Sequence, residues 1–193
     1  YIFRHTKKQL KMKILETGIQ LFKYYKLLGD KSIEPLTTEE LNYKPDEFSN
    51  SIGIIIQHLS GNMLSRWTDF LTTDGEKPTR NRDMEFEPLN FSKEEYLEMW
   101  SSGWDCLFSA LEHLDEEDLS RIVYIRNEGH TAEQAIMRQV AHYSYHVGQI
   151  VLLAKVLRGE NWVNLSIPKQ KSNEFNQSKF SEEKRLKFFS KDL

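Results

Sequence analysis

Two histidines four residues apart, His142 and His146, stand in the segment His142-Tyr143-Ser144-Tyr145-His146. On a helix, residues i and i+4 lie one above the other, with Cβ atoms roughly 5–6 Å apart. Two imidazoles so placed can reach one divalent cation at roughly 2.0–2.1 Å each. The spacing alone is not specific, because paired histidines on a buried helix face also pack and hydrogen-bond without a metal. A metalloprotease helix would carry Glu directly after the first His, where this chain has Tyr143. His58 is a third candidate, beside the apolar stripe of Ile55, Leu59 and Met63. Bundles build metal sites from inward side chains on facing helices. Three neutral imidazoles with positions left open would make a catalytic rather than a structural ligand set. His5, His113 and His130 lie near a terminus, among acids and at a helix start, and show no such pattern.

The neighbours of these histidines bear on the chemistry. Asn62 and Arg66 follow His58 by 4 and 8 residues and share its helix face. Arg138 and Gln139 lie one turn before His142, and Gln149 lies three residues after His146. Arg66 or Arg138 could clamp a carboxylate or phosphate, although ion pairs with Asp69, Glu133 or Glu128 are the plainer expectation. Asn62 and Gln139 could orient imidazoles from behind. Tyr145 could offer its hydroxyl to a substrate. Asn62, Arg66, Arg138 and Tyr145 are therefore the expected substrate contacts. No carboxylate stands at an obvious general-base position. A cation held by uncharged imidazoles would ease deprotonation of a bound water or thiol, so the ligand set permits hydrolysis and thiol transfer alike. Cys106 has no positive neighbour to lower its pKa and is not a candidate nucleophile.

Four segments with helical spacing must position these groups. The first is expected from Ile2 to about Leu28, with Leu10, Ile14, Leu21, Tyr25 and Leu28 inward and Gly29-Asp30 ending it. The second runs from about Ser51 to Leu71, with Asn50 or Ser51 as its cap. The third runs from about Ser92 to Leu114. Ser92 and Glu95 form its capping box, and Leu97, Trp100, Trp104, Leu107, Leu111 and Leu114 make a seam. The fourth runs from about Thr131 to Leu157, with Thr131 and Gln134 as a second box and Gly159 as its stop. Ile136, Tyr143, Val147 and Ala154 form one stripe of it, and Gln139, His142, His146 and Gln149 the adjacent one. The connections at about 30–49, 73–91 and 115–130 are long for an up-down bundle and permit crossovers. Residues 121–126 alternate and suit a short extended piece, and Phe180 to Leu186 suit a short terminal helix. The expected architecture is an all-α four-helix bundle over residues 1–176, with a C-terminal tail at 177–193. Trp162 to Asn176 would fold back across the bundle mouth or pack outside it.

Composition excludes several classes. The chain has 193 residues, 26 Lys plus Arg against 29 Asp plus Glu, and a formal net charge of −3, so no global basic field supports a nucleic-acid role. No apolar run approaches the ~18 residues of a membrane span. One cysteine excludes an internal disulfide, and Tyr1 to His5 lack the apolar core of a secretory signal, so a cytoplasmic location is expected.

The chain resembles the DinB/YfiT-like superfamily of metalloenzymes, and within it an uncharacterised bacterial subfamily, over about residues 8–176. The resemblance rests on Ser49-Asn50-Ser51-Ile52, His58-Leu59-Ser60-Gly61-Asn62-Met63, Ser65-Arg66-Trp67-Thr68-Asp69-Phe70 and Asp74-Gly75-Glu76-Lys77-Pro78. It continues in His142 to Ile150 and in Leu165-Ser166-Ile167-Pro168-Lys169. It implies a four-helix bundle with crossover connections, a divalent metal, nickel or zinc, on His58, His142 and His146, and a homodimer. It also implies a small-molecule substrate, with some relatives transferring low-molecular-weight thiols. Three readings follow: a thiol S-transferase, a metal-dependent hydrolase on the same site, or a non-enzymatic bundle that binds a partner or ligand.

Overall fold

The computed structural model describes residues 2–185 and 187–189, with side chains from residue 14 onward. It is dominated by helix. Long helices α1 (Ile2–Ile33), α3 (Ile52–Trp67), α4 (Lys93–Glu112) and α5 (Ala132–Arg158) are joined through a short α2 (Thr38–Asn42) and a two-stranded hairpin, β1 (Ile122–Ile125) and β2 (Glu128–Thr131). A last helix, α6 (Ser172–Phe180), follows a coil. No helix among the described residues is long and apolar enough to cross a membrane.

The helix starts follow local chemistry. Ser51 accepts the Ile54 N–H, and Ser92 with Glu95 and Thr131 with Gln134 form complete capping boxes at α4 and α5. Gly159 ends α5 at a φ of 53°, a conformation that costs glycine little.

The end of α1 differs from expectation. The helix runs through Gly29 and Asp30 to Ile33. Gly29 serves packing instead: a Cβ there would meet the Trp100 ring. Trp100 Nε1 also donates to Asp30 Oδ1 at 2.6 Å, which ties α4 to this turn. The inward face of α1 is likewise shifted by one position, to Leu15, Gly18, Phe22 and Gly29, because the two glycines open that face to α4 and α5. Leu10 and His5 have side chains outside the described residues. On α4, Leu97 is 38% exposed and Tyr96 takes the inward place, donating to Asn42 Oδ1 at 2.6 Å.

α1 packs on α5, α3 packs on α4, and α3 also meets α5. The four long helices converge on one aromatic cluster. Phe22 of α1 lies 6.1 Å from Trp67 of α3, 6.4 Å from Trp104 of α4 and 5.8 Å from Tyr143 of α5, ring centre to ring centre. The two tryptophan contacts are edge-on and add to the burial of large apolar areas. Within the cluster, Trp67 Nε1 donates to Tyr143 Oη at 3.0 Å, and Tyr143 Oη donates to Asn62 Oδ1 at 3.0 Å.

The expected extended piece at 121–126 is β1, and its antiparallel partner β2 pairs Ile125 with Glu128 and Ile122 with Thr131. Arg126 and Asn127 turn the hairpin at φ 57° and 63°, the left-handed pair that suits a two-residue turn. Asp74 accepts the N–H of both, at 2.9 Å each, and so pins the hairpin tip to the loop after α3. α6 spans the 176/177 boundary expected between domain and tail. Residues 181–185 are not helical, and Leu186 lies outside the described residues.

Candidate metal centre

His58 projects from the middle of α3, and His142 and His146 from successive turns of α5. These helices pack together, and the three side chains meet: one ligand atom from each lies within 4.8 Å of the others. His58 Nε2 and His142 Nε2 are 3.3 Å apart. Two nitrogens bound to one tetrahedral ion at about 2.05 Å are separated by about 3.3 Å.

Each imidazole is held from behind at Nδ1. His58 Nδ1 faces Glu85 Oε2 at 2.9 Å, His142 Nδ1 faces Gln139 Oε1 at 3.4 Å, and His146 Nδ1 faces Gln149 Oε1 at 2.8 Å. A carboxylate only accepts, so His58 Nδ1 carries the proton and donates. Gln149 Nε2 donates to Tyr145 Oη at 3.3 Å, which turns the amide oxygen toward His146. The Nε2 lone pairs are thus directed at one another. Two lone pairs at 3.3 Å repel unless a positive charge, a proton or a metal cation, sits between them. Burial disfavours a proton on His142; burial, then the charges of His146, His58, Arg66 and Arg80, push its pKa down to about 3. Burial also lowers His146, against the hydrogen bond it donates to Gln149 Oε1. The donor set therefore fits a divalent cation, and His58, His142 and His146 could hold one.

Glu85 was not among the residues expected here. It sits in a 3₁₀ turn (Asp83–Phe86) within the long connection after α3. Its carboxylate also accepts from Arg80, at 2.7 Å from Nε and 2.8 Å from Nη2. Burial works to raise the carboxyl, but the hydrogen bonds from His58 and Arg80 outweigh it and leave it below its usual range. Arg80 is anchored in turn by Glu76 at 3.0 Å. Gly61 gives this turn its seat, because a Cβ there would collide with Glu85.

A cavity of about 540 Å³ opens in front of the histidines. Asn62, Arg66, Arg138 and Gln139 line it, and Arg82, Phe86, Ile125, Arg126 and Glu128 lie on its wall. The wall is therefore the 76–86 loop and the hairpin. Residues 159–176, which were candidates to fold across the mouth, do not line it. Tyr145 does not line it either; it is 63% exposed and supports Gln149. Asn62 holds Tyr143 rather than an imidazole. Among the described residues Arg66 and Arg138 make no ion pair, so the partners expected for them in Asp69, Glu133 and Glu128 are not used. A larger concavity of about 900 Å³ lies near α6, lined by Pro168, Phe175, Phe188 and neighbouring residues, and contains no metal-ligating histidine or cysteine.

Residues 9–171 match the family described as "Protein of unknown function (DUF1572)", which covers most of the chain, and the chain belongs to that family. No curated protein matches it.

Proposed function

We propose that this DUF1572 protein is a metal-dependent enzyme of the DinB-like four-helix-bundle type, with one divalent ion, nickel or zinc, on His58, His142 and His146. The reaction we assign is transfer of a low-molecular-weight thiol to a small-molecule acceptor. The observation that carries the reading is the set of three Nδ1 anchors, Glu85, Gln139 and Gln149, which leave the Nε2 of each ring unengaged by them, on three side chains that come together. The meeting of four long helices at Phe22, Trp67, Trp104 and Tyr143 supports the bundle assignment.

When bound to neutral imidazoles the ion keeps its full charge and supplies Lewis acidity that lowers the pKa of a thiol or water at its open positions. The chain's own residues supply the rest. Glu85 is committed to His58 and Arg80, and Glu76 to Arg80, so neither carboxylate is free to act as general base. That favours a reaction in which the nucleophile is a thiol that ionises readily, over one that needs a strong base to activate water. Asn62, Arg66 and Arg138 face the cavity and are the groups that would orient the substrate. Tyr145 acts on the substrate only through Gln149 in this reading. A homodimer belongs to the same reading: Leu152 and Val156, on the outer face of α5 with Tyr145, are 63% and 67% exposed.

The test compares wild type with a His58→Ala/His142→Ala/His146→Ala variant, both purified without a histidine tag. Metal content by plasma mass spectrometry and consumption of glutathione or bacillithiol with an electrophile are read on both. One ion per chain and thiol consumption in wild type alone support the proposal. Ester turnover without thiol would replace transferase with hydrolase. Bound metal without either turnover would leave a binding protein, and no metal in either variant would remove the centre.

A further inference from the structure

The cavity in front of the histidines carries more positive charge than its own acids neutralise. Arg66, Arg80, Arg82, Arg126 and Arg138 line it, against Glu76 and Glu128. Arg80 is fully engaged by Glu85 and Glu76. Arg126 shares Glu76 at 3.5 Å, and Arg82 lies over the Phe86 ring at 4.9 Å.

Arg66 is different. It is 5% exposed, and its Nε and Nη1 are buried with no hydrogen-bond partner among the described residues. Two of its three nitrogens have thus lost hydration without gaining a hydrogen bond in exchange. The loop beside it is shaped to keep it there: a Cβ on Gly75 would stand 2.5 Å from Arg66 Nη1. Burial lowers the Arg66 pKa, and Arg138 and Arg80 push the same way against Tyr143 and Glu76. Across the cavity, Arg138 on α5 has only His130 Nε2 near Nη1, at 3.3 Å. A protein gains no stability by burying the Nε and Nη1 of Arg66 without partners beside a cavity that opens on its histidine cluster, unless something anionic completes that guanidinium; Arg138 is exposed and lines the same cavity from α5.

We infer that the cavity binds a carboxylate of its small-molecule substrate between Arg66 and Arg138, which leaves the reacting end of the molecule at His58, His142 and His146. The inference rests on reading the histidine cluster as a small-molecule site. It goes beyond that reading in making the substrate a carboxylic acid. A cavity of about 540 Å³ suits a small organic acid. Planar guanidinium edges match a planar carboxylate, which explains the use of Arg rather than Lys here.

The test is calorimetric titration of the zinc-loaded protein and the metal-free protein with succinate, succinamide and inorganic phosphate. Succinate is expected to bind wild type and succinamide is not. Arg66→Met and Arg138→Gln should each weaken succinate roughly tenfold to a hundredfold. Thermal unfolding supplies a second readout. Arg66→Met should melt no lower than wild type, because it removes a buried charge that has no partner. A variant that melts lower and binds succinate normally would make Arg66 structural and overturn the inference. Equal binding of succinate and succinamide would overturn it too, as would binding of phosphate alone. Zinc binding without any succinate binding would sink this inference and leave the metal centre standing. Succinate binding through Arg66 in a protein that takes up no zinc would do the reverse.

Discussion

Replacing Glu85 by Gln tests whether the histidine cluster is built for metal or only packed. Oε2 of Glu85 accepts from both His58 Nδ1 and Arg80 Nη2, and Oε1 accepts from Arg80 Nε. A glutamine of the same shape has one accepting oxygen. With that oxygen at the Oε2 position, its NH₂ points at the Arg80 Nε–H and the pair repel. With it at Oε1, the NH₂ faces His58 and favours the tautomer whose Nε2 carries a proton and cannot ligate. Either way the buried carboxylate that fixes His58 is gone; Glu85 is 9% exposed, so water cannot take its place. Loss of such an outer partner costs about 10–100-fold in metal affinity, or ~1.4–2.7 kcal/mol. Loss of the carboxylate charge that faces Arg80 costs about 1–3 kcal/mol of stability, and a melting shift of roughly 3–10 °C for a chain of this size. Zinc affinity is measured by competition with a chromophoric chelator near neutral pH, and stability by thermal unfolding in EDTA. Glu76→Gln is the control: it weakens Arg80 at 3.0 Å without touching His58, so it should lower stability and leave zinc affinity alone. If Glu85→Gln melts lower but binds zinc within threefold of wild type, Glu85 is a structural anchor and the tautomer argument is wrong.

Three further outcomes follow from the packing. Tyr143→Phe leaves the Trp67 N–H and Asn62 Oδ1 unpaired in the core and should cost about 1–3 kcal/mol, read by calorimetric unfolding; an unchanged melting point would mean the pair is satisfied some other way. Gly29→Ala discriminates by sign. A glycine merely inside a helix would gain about 1 kcal/mol on becoming alanine, whereas a Cβ pressed on the Trp100 ring should destabilise by about 1–3 kcal/mol in urea. Asp74 sets part of the acid limb. Burial works to raise its carboxyl, but the N–H groups of Asn127, Glu76 and Arg126 hold it below the usual range. A carboxyl depressed by folding adds stability that is complete above its unfolded pKa near ~3.9 and is lost as pH falls through the lower folded value. Wild type and Asp74→Asn should therefore differ in urea stability at pH 5 and converge toward pH 2; a constant difference across that range would count against the assignment.

Much of the helical frame was legible because it is local. Ser92-Glu95 and Thr131-Gln134 announce helix starts by hydrogen bonds within four residues, and α4 and α5 begin there. The histidine pair was legible for the same reason, since a spacing of four on α5 puts His142 and His146 on one face. What escaped was set by contacts distant in sequence. Gly29 and Asp30 read as a helix stop, yet both face Trp100, some 70 residues later in the chain. Tyr96 replaces Leu97 because Asn42 waits for its hydroxyl. Glu85 lies in a segment without periodicity, and only the folded chain shows it 2.9 Å from His58. Strand β2, Glu-Gly-His-Thr, has little strand propensity of its own and forms because Asp74 holds the turn that precedes it.

α5 divides its labour between adjacent stripes, and the division says which parts of the site can vary. Tyr143, Val147 and Ile150 are buried against the aromatic cluster, so the backbone that carries His142 and His146 cannot shift without opening the core. His58 is held likewise, with Ile55 and Leu59 buried on either side of it in sequence. The three histidines are thus anchored in the core itself. The opposite wall is made of connections: the 76–86 loop, held by Arg80 and Glu85, and the hairpin tip, held by Asp74. The Arg80 and Glu85 side chains are buried, but the hairpin tip that Asp74 holds is exposed, and there substitutions are tolerated and backbone can move without loss of the core. A change of substrate would then be reached through Arg82, Arg126 and Glu128 with the histidines untouched. Hairpin substitutions such as Arg126→Ala should alter small-molecule binding while zinc affinity stays within a few-fold of wild type, and an equal loss of both would show that the wall and the metal centre are one cooperative unit.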